Sequence, residues 1–180
     1  MTRIVDVHNH FYPPAYMDAL KRGESSITVR YNASGDPEIH YPGDYNVAVA
    51  GHRDIAYRQG VLEKEGVDTQ VITLTTPGTH VETPAVARRL AQITNDDFAR
   101  IVQERSPRFA SLATLPLNDP AASLEELKRC VEELKFPGAM LFSNVNGVHL
   151  ADKRYRPLYR PSGEHPITER IKRAAEQLFG

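Results

Sequence analysis

The chain has one cysteine, Cys130, in 180 residues. No intramolecular disulfide can form, and a reducing cytosol is the expected setting. No stretch approaches the roughly 18 consecutive apolar residues of a membrane-crossing helix. The first residues lack the apolar core of a secretory signal, because His8 and His10 interrupt them at once. Neither sign of charge is in excess: 22 Lys and Arg oppose 23 Asp and Glu, for a net charge of −1. That balance argues against a basic nucleic-acid module and against an acidic disordered tail. The Gly-x-Ser-x-Gly elbow, the Walker loop and the dinucleotide Gly-x-Gly-x-x-Gly are all absent. With 41% hydrophobic and 25% charged residues, the sequence reads as one soluble cytoplasmic domain over 1–180, large enough to bury a core.

Four segments have strand character: 4–8, 70–75, 108–114 and 138–142. The second is a continuous apolar and threonine run of the kind buried on both faces. Helical patterns lie between them. Residues 54–65 carry Ile55, Val61 and Leu62 and stop at Gly66. Residues 84–104 open on Thr83 and Pro84, with Leu90, Ile93, Phe98, Ile101 and Val102 as one stripe. Residues 123–136 place Leu124, Leu127, Val131 and Leu134 on one face, and Ser123 with Glu126 matches a capping box. Strands alternating with helices predict βαβ units and a parallel sheet. The exception is 27–50, where three short alternating segments separated by turn sequences predict a small antiparallel insertion. After Tyr159 comes a turn-rich bridge over 160–166, then an amphipathic pattern over 167–179 that predicts a last helix.

The strongest chemical signal is Asp6-Val7-His8-Asn9-His10. On a strand, His8 and His10 share a face about 7 Å apart, and Asp6 shares their parity. Two imidazoles so placed can converge on one metal ion at about 2.0–2.1 Å each. Two strand-end histidines satisfied by hydrogen bonds fit the bare motif equally well. They fall at the carboxyl end of the first strand, where an α/β barrel keeps its active site. Of the other histidines, His80 and His149 follow later strands and would face the same end, while His40 and His52 fall in the insertion and near a helix start. Cys130 sits on the apolar side of its helix and reads as a buried structural thiol.

The segment from Asp6 to Pro13 resembles the opening of the amidohydrolase-related family that includes aminocarboxymuconate-semialdehyde decarboxylase and other metal-dependent aromatic-acid decarboxylases. The likeness continues through Gly66–Thr75, Asn95-Asp96, Pro107-Arg108-Phe109, Thr114-Leu115-Pro116-Leu117, 130–138 and Pro157-Leu158-Tyr159. It covers roughly residues 3–159. The resemblance implies a (β/α)₈ barrel, a divalent metal held by His8 and His10, and removal of CO₂ from a carboxylated aromatic or muconate-like acid. Zinc is the expected metal, since imidazole suits it, with manganese the other possibility. A hydrolase of the same superfamily is the second enzymatic reading.

The pattern also departs from the family. Such barrels take about 250 residues, and only four parallel strands are visible here. Members take a third metal-binding histidine from the fifth strand, often ending in His-Pro, and a further histidine and an aspartate from later strands. His165-Pro166 has the dipeptide but no apolar strand before it. The insertion arginine that grips a substrate carboxylate in the aminocarboxymuconate decarboxylases has Asn46-Val47-Ala48-Val49 in its place, and Arg30 lies elsewhere. The last helix resembles the family's final one. The expectation is a shortened, half-barrel chain whose open sheet edges favour a homo-oligomer. A catalytically silent binding or assembly partner is the reading from outside the enzymes.

Overall fold

Residues 3–159 are described in a computed structural model of the chain. The bridge with His165 and the helix expected over 167–179 therefore lie outside the described residues. The chain begins with β1 (Val5–Asp6) and α1 (Pro14–Lys21), then enters β2 (Thr28–Tyr31), β3 (Pro37–Tyr41) and β4 (Asp44–Val47). These last three strands form the antiparallel insertion, in the order β2–β3–β4. Its inner side buries Ile39.

The short helix α2 (Ala50–Arg53) leads into α3 (Ile55–Lys64), capped by Asp54, whose carboxylate accepts the Ala56 and Tyr57 N–H groups. β5 (Thr69–Ile72) follows and is buried throughout, with Val71 and Ile72 in the apolar interior and the polar Thr69 and Gln70 satisfied by hydrogen bonds. It pairs in parallel with β1 on one side, Val5 opposite Thr69. On the other side it pairs with β6 (Phe109–Ser111), Val71 opposite Ala110.

Between β5 and β6 runs α4 (Pro84–Arg105), which buries Leu90, Phe98 and Ile101 against the sheet side. After β6 comes α5 (Pro120–Glu132). It starts three residues before the expected Ser123, because Asp119 caps it by accepting the Ala121 and Ala122 N–H groups. The Ser123–Glu126 capping box does not form. Ser123 Oγ donates instead to the Pro116 carbonyl at 2.8 Å, and Glu126 turns inward to Asn95 and Arg129.

The fourth parallel segment is reduced to one bridge, Ala113 opposite Ala139. Ala113 N–H donates to the Gly138 carbonyl at 2.9 Å, and Met140 N–H to the Ala113 carbonyl at 3.0 Å. Pro137 has no N–H to extend this pairing and Gly138 no side chain to pack. A small hairpin, β7 (Asn144–Val145) and β8 (Val148–His149), and the helical turns Lys153–Tyr155 and Arg156–Tyr159 complete the described chain. Among the described residues no helix is long and apolar enough to cross a membrane.

Candidate metal centre

All three parallel strands point the same way, so the segments leaving β1, β5 and β6 gather at one rim of the sheet. β1 stops at Asp6, and the histidines lie beyond it on irregular chain rather than on the strand itself. Their rings nevertheless come together, with centroids 5.6 Å apart and planes at 68°. His8 is exposed and His10 half-buried. One ring nitrogen of His10, Nδ1, is buried and has no hydrogen-bond partner among the described residues. Burial first, then the neighbouring His8, His52 and Arg58, hold the His10 pKa below the ordinary imidazole range. His10 is therefore neutral at pH 7, the form in which an imidazole can bind a metal.

Side chains from other elements fix this segment. Asn9 Nδ2 donates to the Val71 carbonyl at 2.7 Å, Thr73 Oγ1 to the Asn9 carbonyl at 2.7 Å, and Phe11 N–H to the Thr73 carbonyl at 2.8 Å. The Asp6 carboxylate is already engaged: Oδ1 accepts His8 N–H at 3.0 Å and Oδ2 accepts Gln70 Nε2 at 2.5 Å. Beneath lies Arg58, only 7% exposed. Its Nη1 donates to Asn9 Oδ1 at 2.6 Å and Gln70 Oε1 at 2.9 Å, Nη2 to the His10 carbonyl at 2.5 Å, and Nε to the Gly51 carbonyl at 2.7 Å. Burial lowers its pKa to about 10, against the opposing pull of Asp6.

The loop after β5 is fixed as firmly. Tyr12 OH and Asn46 Nδ2 both donate to the Thr76 carbonyl at 2.7 Å, and Tyr16 OH donates to the Gly78 carbonyl at 2.8 Å. That loop carries His80, which is buried against the Phe142 ring at 4.8 Å with its Nδ1 unpartnered. Burial lowers the His80 pKa. Asn146 Nδ2 donates to the His80 carbonyl at 2.7 Å and so ties the β7–β8 turn to the same rim.

The remaining sequence candidates fall elsewhere. His40 stacks on Tyr45 and meets Glu38 at 3.1 Å within the insertion. His149 is exposed, and its Nδ1 accepts Ala151 N–H. Arg30 is exposed on β2. His52 is half-buried and close enough to His10 to influence its charge. Cys130 is buried, and burial pushes its thiol pKa up. Among the described residues no group of three or more His, Cys, Asp or Glu side chains is placed to hold a metal ion. Sequence reasoning missed Arg58. Its one signal was position: it lies one turn before Leu62 on α3, on the face that packs inward.

A parallel sheet wrapped by helices, with its histidines at the strand-exit rim, defines an α/β protein of the barrel type. The chain belongs to the amidohydrolase family, whose pattern matches residues 5–174. It is 38% identical over 159 residues to the 2-amino-3-carboxymuconate-6-semialdehyde decarboxylase of Dictyostelium discoideum, covering 86% of this chain and 44% of that enzyme. The 2,6-dihydroxybenzoate decarboxylase from Rhizobium superposes with a TM-score of 0.63 at 25% identity, over 99% of this chain and 48% of that one. A dihydroxybenzoic acid decarboxylase from Polaromonas, solved with bound manganese and 2-nitroresorcinol, gives 0.65 at 22% identity, over 100% of this chain and 55% of that one. The chain thus spans about half the length of the relatives it matches.

Proposed function

We propose that this chain is the metal-binding front half of a divalent-metal-dependent carboxy-lyase that removes CO₂ from a carboxylated aromatic or muconate-like acid. The observation that carries the reading is the His8–His10 ring pair at the strand-exit rim, with a buried His10 nitrogen that no group among the described residues engages. The relatives are decarboxylases of such acids, and the manganese in the Polaromonas neighbour supports a divalent ion. Zinc fits the imidazole donors equally well.

His8 and His10 would hold the ion, which when bound supplies Lewis-acid polarisation and lowers the pKa of bound water. The chain's own contribution is order and shape. Neutral His10 keeps its lone pair available, and Tyr12, Tyr16 and Asn46 fix the loop that walls the rim beside it. His80 and Phe142 add an apolar, aromatic flank from the next strand exits. The lone buried thiol of Cys130 agrees with a cytoplasmic setting.

A second reading rests on the missing third ligand among the described residues. Two histidines are fewer than the three protein ligands of a typical catalytic zinc site, so the described residues by themselves would turn over substrate negligibly. The open sides of the sheet favour pairing with a second copy: among the described residues β1 is paired only with β5, and β6 continues only through the Ala113–Ala139 bridge.

A chimera tests the reading. Residues 1–159 are joined to the part of the Dictyostelium enzyme that lies beyond the matched region, and CO₂ release from carboxyl-labelled substrate is followed with Mn²⁺ or Zn²⁺. Metal-dependent release that His8→Ala lowers at least a hundredfold is the expected result. Hydrolysis of ester, lactone or amide substrates without CO₂ would replace the lyase with a hydrolase.

A further inference from the structure

The guanidinium of Arg58 is buried, and among the described residues no carboxylate pairs with it directly. Such a group is costly to bury unless every N–H finds an acceptor. Here all five do. Nε and one Nη2 hydrogen go to the Gly51 carbonyl, the other Nη2 hydrogen to the His10 carbonyl, and the two on Nη1 to Asn9 Oδ1 and Gln70 Oε1. The neutralising charge arrives at one remove, because Gln70 Nε2 donates to Asp6, which in turn accepts the His8 N–H. The cation also lies 5.3 Å from the centre of the Phe11 ring. Asp6, His8, Asn9, His10 and Phe11 are therefore all held, directly or through Gln70, by one side chain on α3. The strand ladder stops short of the histidines, since β1 ends at Asp6, and beyond it the exit of β5 reaches Asn9 and Phe11 but neither histidine.

We infer that Arg58 is the positioning residue of the imidazole pair: its planar fork, relayed through Gln70, sets the backbone of residues 6–11 so that the His8 and His10 rings meet. The inference rests on the proposed metal-binding role of these histidines and names what makes them converge. A lysine keeps the charge but not the five-donor fork, so it cannot hold Asn9, Gln70 and the His10 carbonyl together.

The test uses the full chain, metal-free and labelled at histidine, and looks for the nuclear Overhauser effect between the His8 and His10 rings. Mn²⁺ affinity is then titrated separately by electron paramagnetic resonance. The expected result is an effect present in the wild type, absent in Arg58→Lys, and retained in Leu127→Ala, which loosens the core on α5 outside this network. Mn²⁺ affinity falls about 10–100-fold in Arg58→Lys, the usual effect of removing a ligand's outer support, and stays within twofold in Leu127→Ala. Gln70→Leu, which removes the relay between Arg58 and Asp6 and leaves the arginine in place, gives a second reading should Arg58→Lys fail to fold. An intact ring–ring effect in Arg58→Lys, or in Gln70→Leu where Arg58→Lys does not fold, or its absence from the wild type, overturns the inference. A lost effect in Arg58→Lys, with wild-type Mn²⁺ binding no better than that of His8→Ala/His10→Ala, leaves the positioning role standing and removes the metal role.

Discussion

Asn95 and Thr114 hold one another through both polar groups of a single residue's backbone. Asn95 Nδ2 donates to the Thr114 carbonyl at 2.9 Å while Asn95 Oδ1 accepts the Thr114 N–H at 2.8 Å. The same Nδ2 also donates to Glu126 Oε1 at 2.7 Å, so one fully buried amide joins α4, the segment leaving β6, and α5. Asn95→Leu strands a buried N–H, a carbonyl and part of a carboxylate at once. It is expected to cost about 2–4 kcal/mol in urea unfolding, given about 1–3 kcal/mol for each unsatisfied buried group with some relaxation. A loss below about 1 kcal/mol would mean that water or a rearranged side chain replaces the amide.

Gly78 adopts φ +66° with its α-carbon against the site wall, where an added methyl would come within 3.1 Å of His80 Nδ1 and 3.2 Å of Phe142. Gly35 has φ +80° in a turn with nothing within 4 Å. Both alanine variants pay the left-handed backbone penalty of about 1–2 kcal/mol, but Gly78→Ala must also push two rings aside. Thermal unfolding is expected to fall further for Gly78→Ala than for Gly35→Ala. Equal losses would show that the His80–Phe142 contact yields freely.

Burial lowers the His80 pKa in the folded chain, whereas the unfolded chain titrates near 6.5. As pH falls through the window below 6.5, the unfolded state takes up the proton first, so stability declines with acidification and is full above that window. His10 is shifted in the same direction, by burial and then by its neighbours His8, His52 and Arg58. Urea midpoints at pH 7.5 and pH 5 are expected to differ less in His80→Leu than in the wild type. An unchanged difference would place the titration elsewhere.

The fold was legible wherever burial imposes a period on the sequence. The stripe of Leu90, Phe98 and Ile101 on α4 and the turn sequences of the insertion appear where the pattern put them, and the buried run expected over 70–75 is a strand only as far as Ile72. The histidine pair was legible as a motif. Its geometry was not, because β1 ends at Asp6 and the rings converge through tertiary contacts rather than strand parity. On α3 the apolar text misleads. Val61, one of the three apolar residues the pattern carries, is 42% exposed, and the inward face carries Arg58. A buried cation is invisible to hydrophobic periodicity, since only the acceptors around it make the position tolerable. The expected capping box failed for a similar reason, as Asp119 offered a cap one turn earlier and Glu126 had a better partner in Asn95.

The sheet's open sides carry a prediction of assembly. Sedimentation of the chain at micromolar concentration is expected to give a dimer. A well-behaved monomer would mean that its edges are covered from within the chain.

Whether His8 and His10 hold an ion together is tested most directly by titration of the chain with Mn²⁺, followed by the loss of free-ion signal in electron paramagnetic resonance. One ion per chain at modest affinity, abolished in the His8→Ala/His10→Ala variant while its folded far-ultraviolet circular dichroism is kept, is the predicted result. Equal Mn²⁺ uptake by the wild type and the double variant would contradict it.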